Sequence, residues 1–343
     1  MPGVAVDGAR FGAALAAGDL DGDGYDDLVV GVPGATVNGR AAAGAVVVLR
    51  GSRTGLGTAR ALQWVQSAGE TPEAGDRLGA ALAVGDVDGD GRLDVAVAAP
   101  GEKTGAGAAS GAVRLLRGTA SGLTGSSTLW GSIVGNRGSF GRAVALADTD
   151  RDGHADLVAG GLGVPGGALT VALGRADGLT GPRRHITQDT ARVPGADEPG
   201  DAFGAALAAG DVDADGYADV VVGAPGEDQG STADAGAAFV LYGSAGGPGA
   251  TRVVARRQGA DRVPGAPGAK DAFGAAVAVS DLDGDGFGDV VVGSPGEGSG
   301  TGAVDVLPGS ESGLDAVAAT HRTASSLGLG GATGDRFGAA LAP

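Results

Sequence analysis

Cysteine is absent from the 343 residues, which excludes disulfides, thiolate metal sites and cysteine nucleophiles. Aromatic residues make up 3% against 43% hydrophobic residues overall, so the core must be built from Val, Ala and Leu at close backbone spacing. Histidine occurs only as His154, His185 and His321. No Ser/His/Asp grouping, HExxH or phosphate-binding loop accompanies them, and all three read as surface residues. Lysine is confined to Lys103 and Lys270. No run approaches the roughly 18 apolar residues that a membrane-spanning helix needs, and the opening MPGVAVDGARFG lacks the regions of a signal peptide. A net charge of −17 argues against nucleic acid and anionic membrane as partners.

What the chain does contain is one acidic loop written five times, Asp-x-Asp-x-Asp-Gly-x-x-Asp. The copies run over residues 19–27, 86–94, 148–156, 211–219 and 281–289. Four carboxylates crowded into nine residues repel one another in water, and a hard divalent cation that takes oxygen ligands removes that repulsion. An EF-hand would need Glu at the twelfth position and flanking helices. That position holds Val30, Val97, Ala159, Val222 and Val292, so the EF-hand is rejected. The plain alternative is a set of solvated Asp-Gly turns. Calcium suits the crowded oxygens better than magnesium, which wants a tighter octahedron and more water. Five bound dications would cancel more than half of the net charge.

Three further markers repeat with the loop. A Phe-Gly or Leu-Gly pair precedes each: Phe11-Gly12, Leu78-Gly79, Phe140-Gly141, Phe203-Gly204 and Phe273-Gly274. A Gly-Ala-Pro-Gly-like turn follows at residues 31–34, 98–101, 223–226 and 293–296, and the third copy has Gly160-Gly161-Leu162 instead. An apolar segment such as AGAVVVLRGS closes each unit. Each unit reads as four short strands: an Ala-rich one too short for a stable helix, an apolar one directly after the acidic loop, a Val-rich one, and a more polar outer one. Repeated four-stranded units predict an all-β fold, a single β-propeller over residues 1–343. Its repeats are 11–77, 78–139, 140–202, 203–272 and 273–336, with a partial sixth at 337–343.

The order of Phe-Gly, acidic loop and Gly-Ala-Pro resembles the FG-GAP repeat of integrin α-subunit propellers and their bacterial relatives. That resemblance implies a calcium-binding propeller, commonly seven-bladed and extracellular. It also implies that loop positions 1, 3, 5 and 9 give side-chain oxygens and position 7 a backbone carbonyl. Residue by residue, the implied ligands are Asp19, Asp21, Asp23, Tyr25 and Asp27; Asp86, Asp88, Asp90, Arg92 and Asp94; Asp148, Asp150, Asp152, His154 and Asp156; Asp211, Asp213, Asp215, Tyr217 and Asp219; and Asp281, Asp283, Asp285, Phe287 and Asp289. Up to five calcium ions follow, the third site weakened by Arg151, whose charge is expected near the cation. Leu78 and the altered third turn depart from the pattern.

No loop carries an adjacent general base, so the metal is expected to be structural and the chain not an enzyme. The loops between second and third strands carry Asn38, Arg40, Glu102, Lys103, Glu227 and Asp228 and read as a recognition surface for an extracellular protein or glycan, or else as idle loops. Trp64 and Trp130 are expected to pack between units, with sugar stacking as the alternative. An accessory propeller of a secreted hydrolase and, less favoured, a catalytic propeller are the other functional readings. Met1-Pro2-Gly3 lies ten residues before Phe11, as Val193-Pro194-Gly195 does before Phe203, and a sixth Phe337-Gly338 lacks its loop. Both ends are therefore expected to continue into a longer secreted array whose signal peptide lies outside this chain.

Overall fold

Short apolar segments bracketed by glycine form strands here because each is too brief for a helix and has a neighbour of the same length. The computed structural model describes residues 7–66, 71–104, 108–130, 139–161, 165–260, 262–315 and 317–341. The Met1-Pro2-Gly3 marker, Leu162 and the glycine-rich tip at 105–107 lie outside them.

The first sheet consists of β1 (Leu15–Gly18), β2 (Asp27–Val32), β3 (Ala45–Arg50) and β4 (Gly57–Trp64). The second contains β5 (Leu82–Gly85), β6 (Asp94–Ala99), β9 (Ala112–Arg117) and β10 (Thr124–Trp130), with a small hairpin of β7 (Lys103–Thr104) and β8 (Ala108–Ala109) inserted. The third contains β11 (Val144–Ala147), β12 (Asp156–Gly161), β13 (Ala168–Ala172) and β14 (Arg183–Ile186). The fourth is built of β15 (Ala206–Gly210), β16 (Asp219–Ala224), β17 (Ala237–Leu241) and β18 (Val253–Arg256), and the fifth of β19 (Ala276–Ser280), β20 (Asp289–Ser294), β21 (Ala303–Leu307) and β22 (Thr320–Thr323). In all five the strands neighbour one another in chain order. They are the four-stranded antiparallel sheets of propeller blades, and the degenerate third repeat builds one as well.

Contacts divide the chain into two compact units, residues 1–146 with 154–163 and 170–184, and residues 147–153 with 164–169 and 185–343. In the first unit, one cluster joins Val29, Val46 and Val48 to Val95, Val97 and Leu116. Another joins Val113, Leu115 and Leu129 to Phe140 and Leu157. In the second unit, Val221, Val240 and Tyr242 meet Phe273, Val277, Val290 and Val292. Within each unit these clusters lie between successive sheets. The second strands β6, β12 and β16 are buried along their whole length and β2 and β20 along all but one residue, as their unbroken apolar runs require.

The Phe-Gly pair sits just before the first strand of its repeat. Leu78, Phe140, Phe203, Phe273 and Phe337 each form a parallel bridge to the glycine just before the third strand of the preceding sheet, at Gly44, Gly111, Gly167, Gly236 and Gly302. The side chain at this place is buried: Phe140, Phe203 and Phe273 are 0–1% exposed. Phe140 and Phe273 cluster with Val113 and Val240 of the preceding sheets, while Phe203 meets Phe239 of its own sheet edge-on at 5.2 Å. Leu78 fills the same slot at 2% exposure. The glycine after the aromatic adopts positive φ (+90° at Gly274), and its backbone crosses Gly223, where any Cβ would overlap the Gly274 carbonyl oxygen. Two marker glycines thus permit one close crossing of backbones.

Gly223→Ala should lower the free energy of unfolding by about 2–3 kcal/mol, the upper part of the usual range for overpacking. The check is a denaturant midpoint that falls with the slope unchanged.

Candidate metal centre

Each acidic loop closes on its own first aspartate. The Asp86 carboxylate accepts the amides of Gly89, Asp90 and Gly91 at 2.7, 3.1 and 2.8 Å, and Asp19 and Asp281 are used in the same way. Asp148 and Asp211 accept the amides of their fifth and sixth residues. Such a wrap needs left-handed backbone at position 6, where Gly91 has φ +85°. Position 4 is also left-handed, at Gly22, Gly89, Arg151, Ala214 and Gly284.

The wrap brings the carboxylates of positions 1, 3 and 5 together. One oxygen from each lies within 4.8 Å of the others in Asp19/Asp21/Asp23, Asp86/Asp88/Asp90, Asp148/Asp150/Asp152, Asp211/Asp213/Asp215 and Asp281/Asp283/Asp285. The position-5 carboxylate also accepts the amide of position 7 from Tyr25, Arg92, Tyr217 and Phe287. At position 3, Oδ1 of Asp21, Asp88, Asp150 and Asp213 is buried and receives no hydrogen bond. A buried carboxylate oxygen without a donor is costly, and it is the kind of group a cation satisfies. The oxygen-only donor set fits a hard divalent ion.

Position 9 stands apart from these triads. Asp27, Asp94, Asp156, Asp219 and Asp289 are at most 3% exposed, and each accepts the amide of the glycine after the third strand: Gly51, Gly118, Gly174, Gly243 and Gly309. Asp94, Asp219 and Asp289 accept in addition the amide of loop position 2, at Val87, Val212 and Leu282. The ninth aspartate therefore ties the loop to the turn that follows the third strand. Burial pushes the carboxyl of Asp94 up to about 6 and that of Asp219 up to about 7 from an ordinary 3.8, against the pull of those amides.

Successive loops are also joined. The amide at position 8 donates to the position-1 carbonyl of the preceding loop, in Leu93→Asp19, Ala155→Asp86, Ala218→Asp148 and Gly288→Asp211, at 2.7–3.1 Å. Arg151 does not bring its charge into the third loop as its place in the sequence suggests. Its left-handed backbone turns the side chain onto the fourth loop, where it donates to the Asp215 carbonyl at 3.1 Å and lies 5.9 Å from the Tyr217 ring centroid.

Sequence reasoning missed the ionic partners of the loops, among them Arg92, whose NH1 lies 3.2 Å from Asp90 Oδ2 in its own loop. Arg50, the last residue of β3, pairs with Asp21, and Arg117, the last residue of β9, lies 2.8 Å from Asp88 Oδ2. The shared Leu-Arg-Gly at 49–51 and 116–118 was the available signal.

At the other ends of the sheets, two residues expected on a recognition surface prove buried. Glu102 accepts a hydrogen bond from Gln66, and Glu227 accepts from Gln188 at 2.5 Å and from Arg257 at 2.9 Å. Both glutamates hold a neighbouring repeat's outer segment. Asn38, Arg40, Lys103 and Asp228 are exposed. Trp64 packs between the first two sheets with the Arg114 guanidinium 4.8 Å from its ring centroid. The side chain of Trp130 lies outside the described set. His185 is exposed, whereas His321 is only partly so and pairs with fully buried Asp305 at 2.9 Å.

The model of the FG-GAP repeat matches residues 11–49, 78–116, 203–241 and 273–307. This chain carries FG-GAP repeats. The third repeat, which lost its Gly-Ala-Pro turn, lies outside the matched spans yet keeps the fold. Over 167 residues, 48% of this chain and 20% of the relative, it is 36% identical to the phosphatidylinositol-glycan-specific phospholipase D of Rattus norvegicus. Over 159 residues, 45% of this chain and 14% of the relative, it is 38% identical to integrin alpha-4 of Xenopus laevis. The FG-GAP chain thus spans a fifth or less of the length of these relatives. The exotype rhamnogalacturonan lyase YesX aligns over 88% of this chain and 56% of its own at 15% identity, with a TM-score of 0.43.

A carboxyl whose folded pKa is raised binds its proton more tightly in the folded state, so its contribution is favourable below the unfolded value and is lost as pH rises through the folded one. In chelator, stability should therefore fall as pH rises from 5 to 8 through the values of Asp94 and Asp219. Melting curves in chelator across that window check this; a melting temperature that climbs with pH contradicts it.

Proposed function

We propose that this FG-GAP protein is a non-catalytic calcium-binding propeller that recognises an extracellular protein or glycan in an adhesion-like role. The observation that supports calcium most is the repeated triad with a donor-less buried oxygen, Oδ1 of the third-position aspartate, in four of the five loops. Positions 1, 3 and 5 would hold the ion, with the position-7 carbonyl and the ninth carboxylate as further ligands by family resemblance. The ion would supply charge neutralisation and lock the loops; the proposal assigns it no chemical step. Exposed Asn38, Arg40, Lys103 and Asp228 at the ends of the sheets away from the acidic loops support a surface for recognition.

A second reading is favoured by the similarity to a phospholipase D over about half of this chain: an accessory propeller beside a hydrolase domain. A secreted hydrolase domain encoded in frame with this chain would decide for it.

With dissociation constants of about 0.1–1 mM, the weak end of calcium modules, millimolar calcium contributes about 0.4–1.4 kcal/mol per site. Calorimetric titration should find up to five sites, and excess chelator should lower the melting temperature by many degrees. An unchanged melt and no heat of binding would reject calcium. Glycan and matrix-protein arrays probed with and without chelator test the recognition role.

A further inference from the structure

The loops differ in how their charge is compensated by the chain itself. In the first two, the third-position aspartate is split between two environments. Asp21 Oδ2 pairs with Arg50, and Asp88 Oδ2 lies 2.8 Å from Arg117, while the partner oxygen Oδ1 of each is buried and receives no hydrogen bond. The aspartate side chains are 9% and 8% exposed and the arginines 17% and 29%, so solvent screens these pairs poorly. Each arginine ends the third strand of its own sheet, and the antiparallel register beside β2 or β6 aims it at the loop that opens that neighbouring strand.

The same place in the later repeats holds Leu173, Tyr242 and Pro308, none of which carries positive charge. The fourth loop has partial substitutes in Arg252, whose NH1 lies 4.0 Å from Asp213 Oδ2, and in Arg151 on the Asp215 carbonyl. The fifth loop has none. Among the described residues no basic side chain lies within 4 Å of the carboxylates of Asp281, Asp283 or Asp285, and all three are exposed.

We propose that Arg50 and Arg117 are built-in counter-ions that hold the first and second loops in their folded geometry without a divalent cation, leaving the fifth loop dependent on one. This rests on the cation reading above. The guanidinium occupies the outer oxygen of the aspartate and relieves the mutual repulsion of the triad, while the inner oxygen stays free for a metal. Arginine suits the task because its charge is permanent and its planar fork fixes the carboxylate plane.

Amide hydrogen exchange on the whole protein tests this, read on the loop amides at 20–26, 87–93 and 282–288. Moving the wild type from millimolar calcium to chelator should cost the fifth loop at least tenfold in protection and the first two less than threefold. Arg117→Gln should make the second loop lose protection in chelator as the fifth does and regain it in calcium, and Arg117→Lys should restore most of the wild-type behaviour. Arg50→Gln gives the same readout in the first loop should Arg117→Gln fail to fold. If calcium protects the fifth loop but the glutamine variants keep wild-type protection in chelator, the counter-ion role is overturned alone. If calcium leaves the fifth loop unchanged, the cation reading falls and this proposal with it.

Discussion

A buried carboxylate stands at the head of every second strand, and the geometry of each repeat depends on how it is satisfied. An aspartate at most 3% exposed is tolerable only with donors around it. Those donors are backbone amides from two places: the glycine that follows the third strand and, for Asp94, Asp219 and Asp289, the second residue of the loop itself. One side chain therefore fixes the start of the second strand, the closure of the acidic loop and the exit from the third strand. Burial still dominates, because the amides only partly offset it and the carboxyls of Asp94 and Asp219 remain far above their ordinary value.

From that fixed point the acidic triad follows. Once the loop is closed, the first aspartate is committed to loop amides, the fifth-position one to the amide two residues on, and the third-position one faces inward with an oxygen that has no donor. Neutralisation can come from a bound cation or from the chain. The first two repeats carry their own arginine for the purpose, the fourth an outer guanidinium, and the fifth no basic side chain at its triad among the described residues. Hydrogen bonds from position 8 of one loop to position 1 of the one before place these differently compensated loops in direct succession.

Glycine does for the backbone what aspartate does for the loops. The aromatic of one repeat docks beside the third strand of the previous one, and this close approach is possible because glycine stands on both sides of the crossing. With few aromatics available, three of them are placed at these joints: Phe140, Phe203 and Phe273 are among the largest fully buried side chains. Val and Ala fill the remainder, which keeps successive sheets close.

The sequence by itself determined the all-β class, the four strands of each repeat and the meeting of positions 1, 3 and 5. These depend on contacts within a few residues or on a period repeated five times, and local spacing suffices to specify them. It could also exclude an EF-hand, because the twelfth position is apolar and proves buried in a strand. Only the tertiary structure decided the rest. The ninth aspartate's partner lies 24 residues away after Asp27, Asp94 and Asp219, and Glu102 and Glu227 are buried by glutamines from the preceding repeat. Arg151 turns to the next loop, and Phe-Gly bridges to the previous sheet. All of these are pairings between residues distant in the chain. Strand register and the juxtaposition of repeats bring such residues together, and a reading of spacing along one chain contains neither.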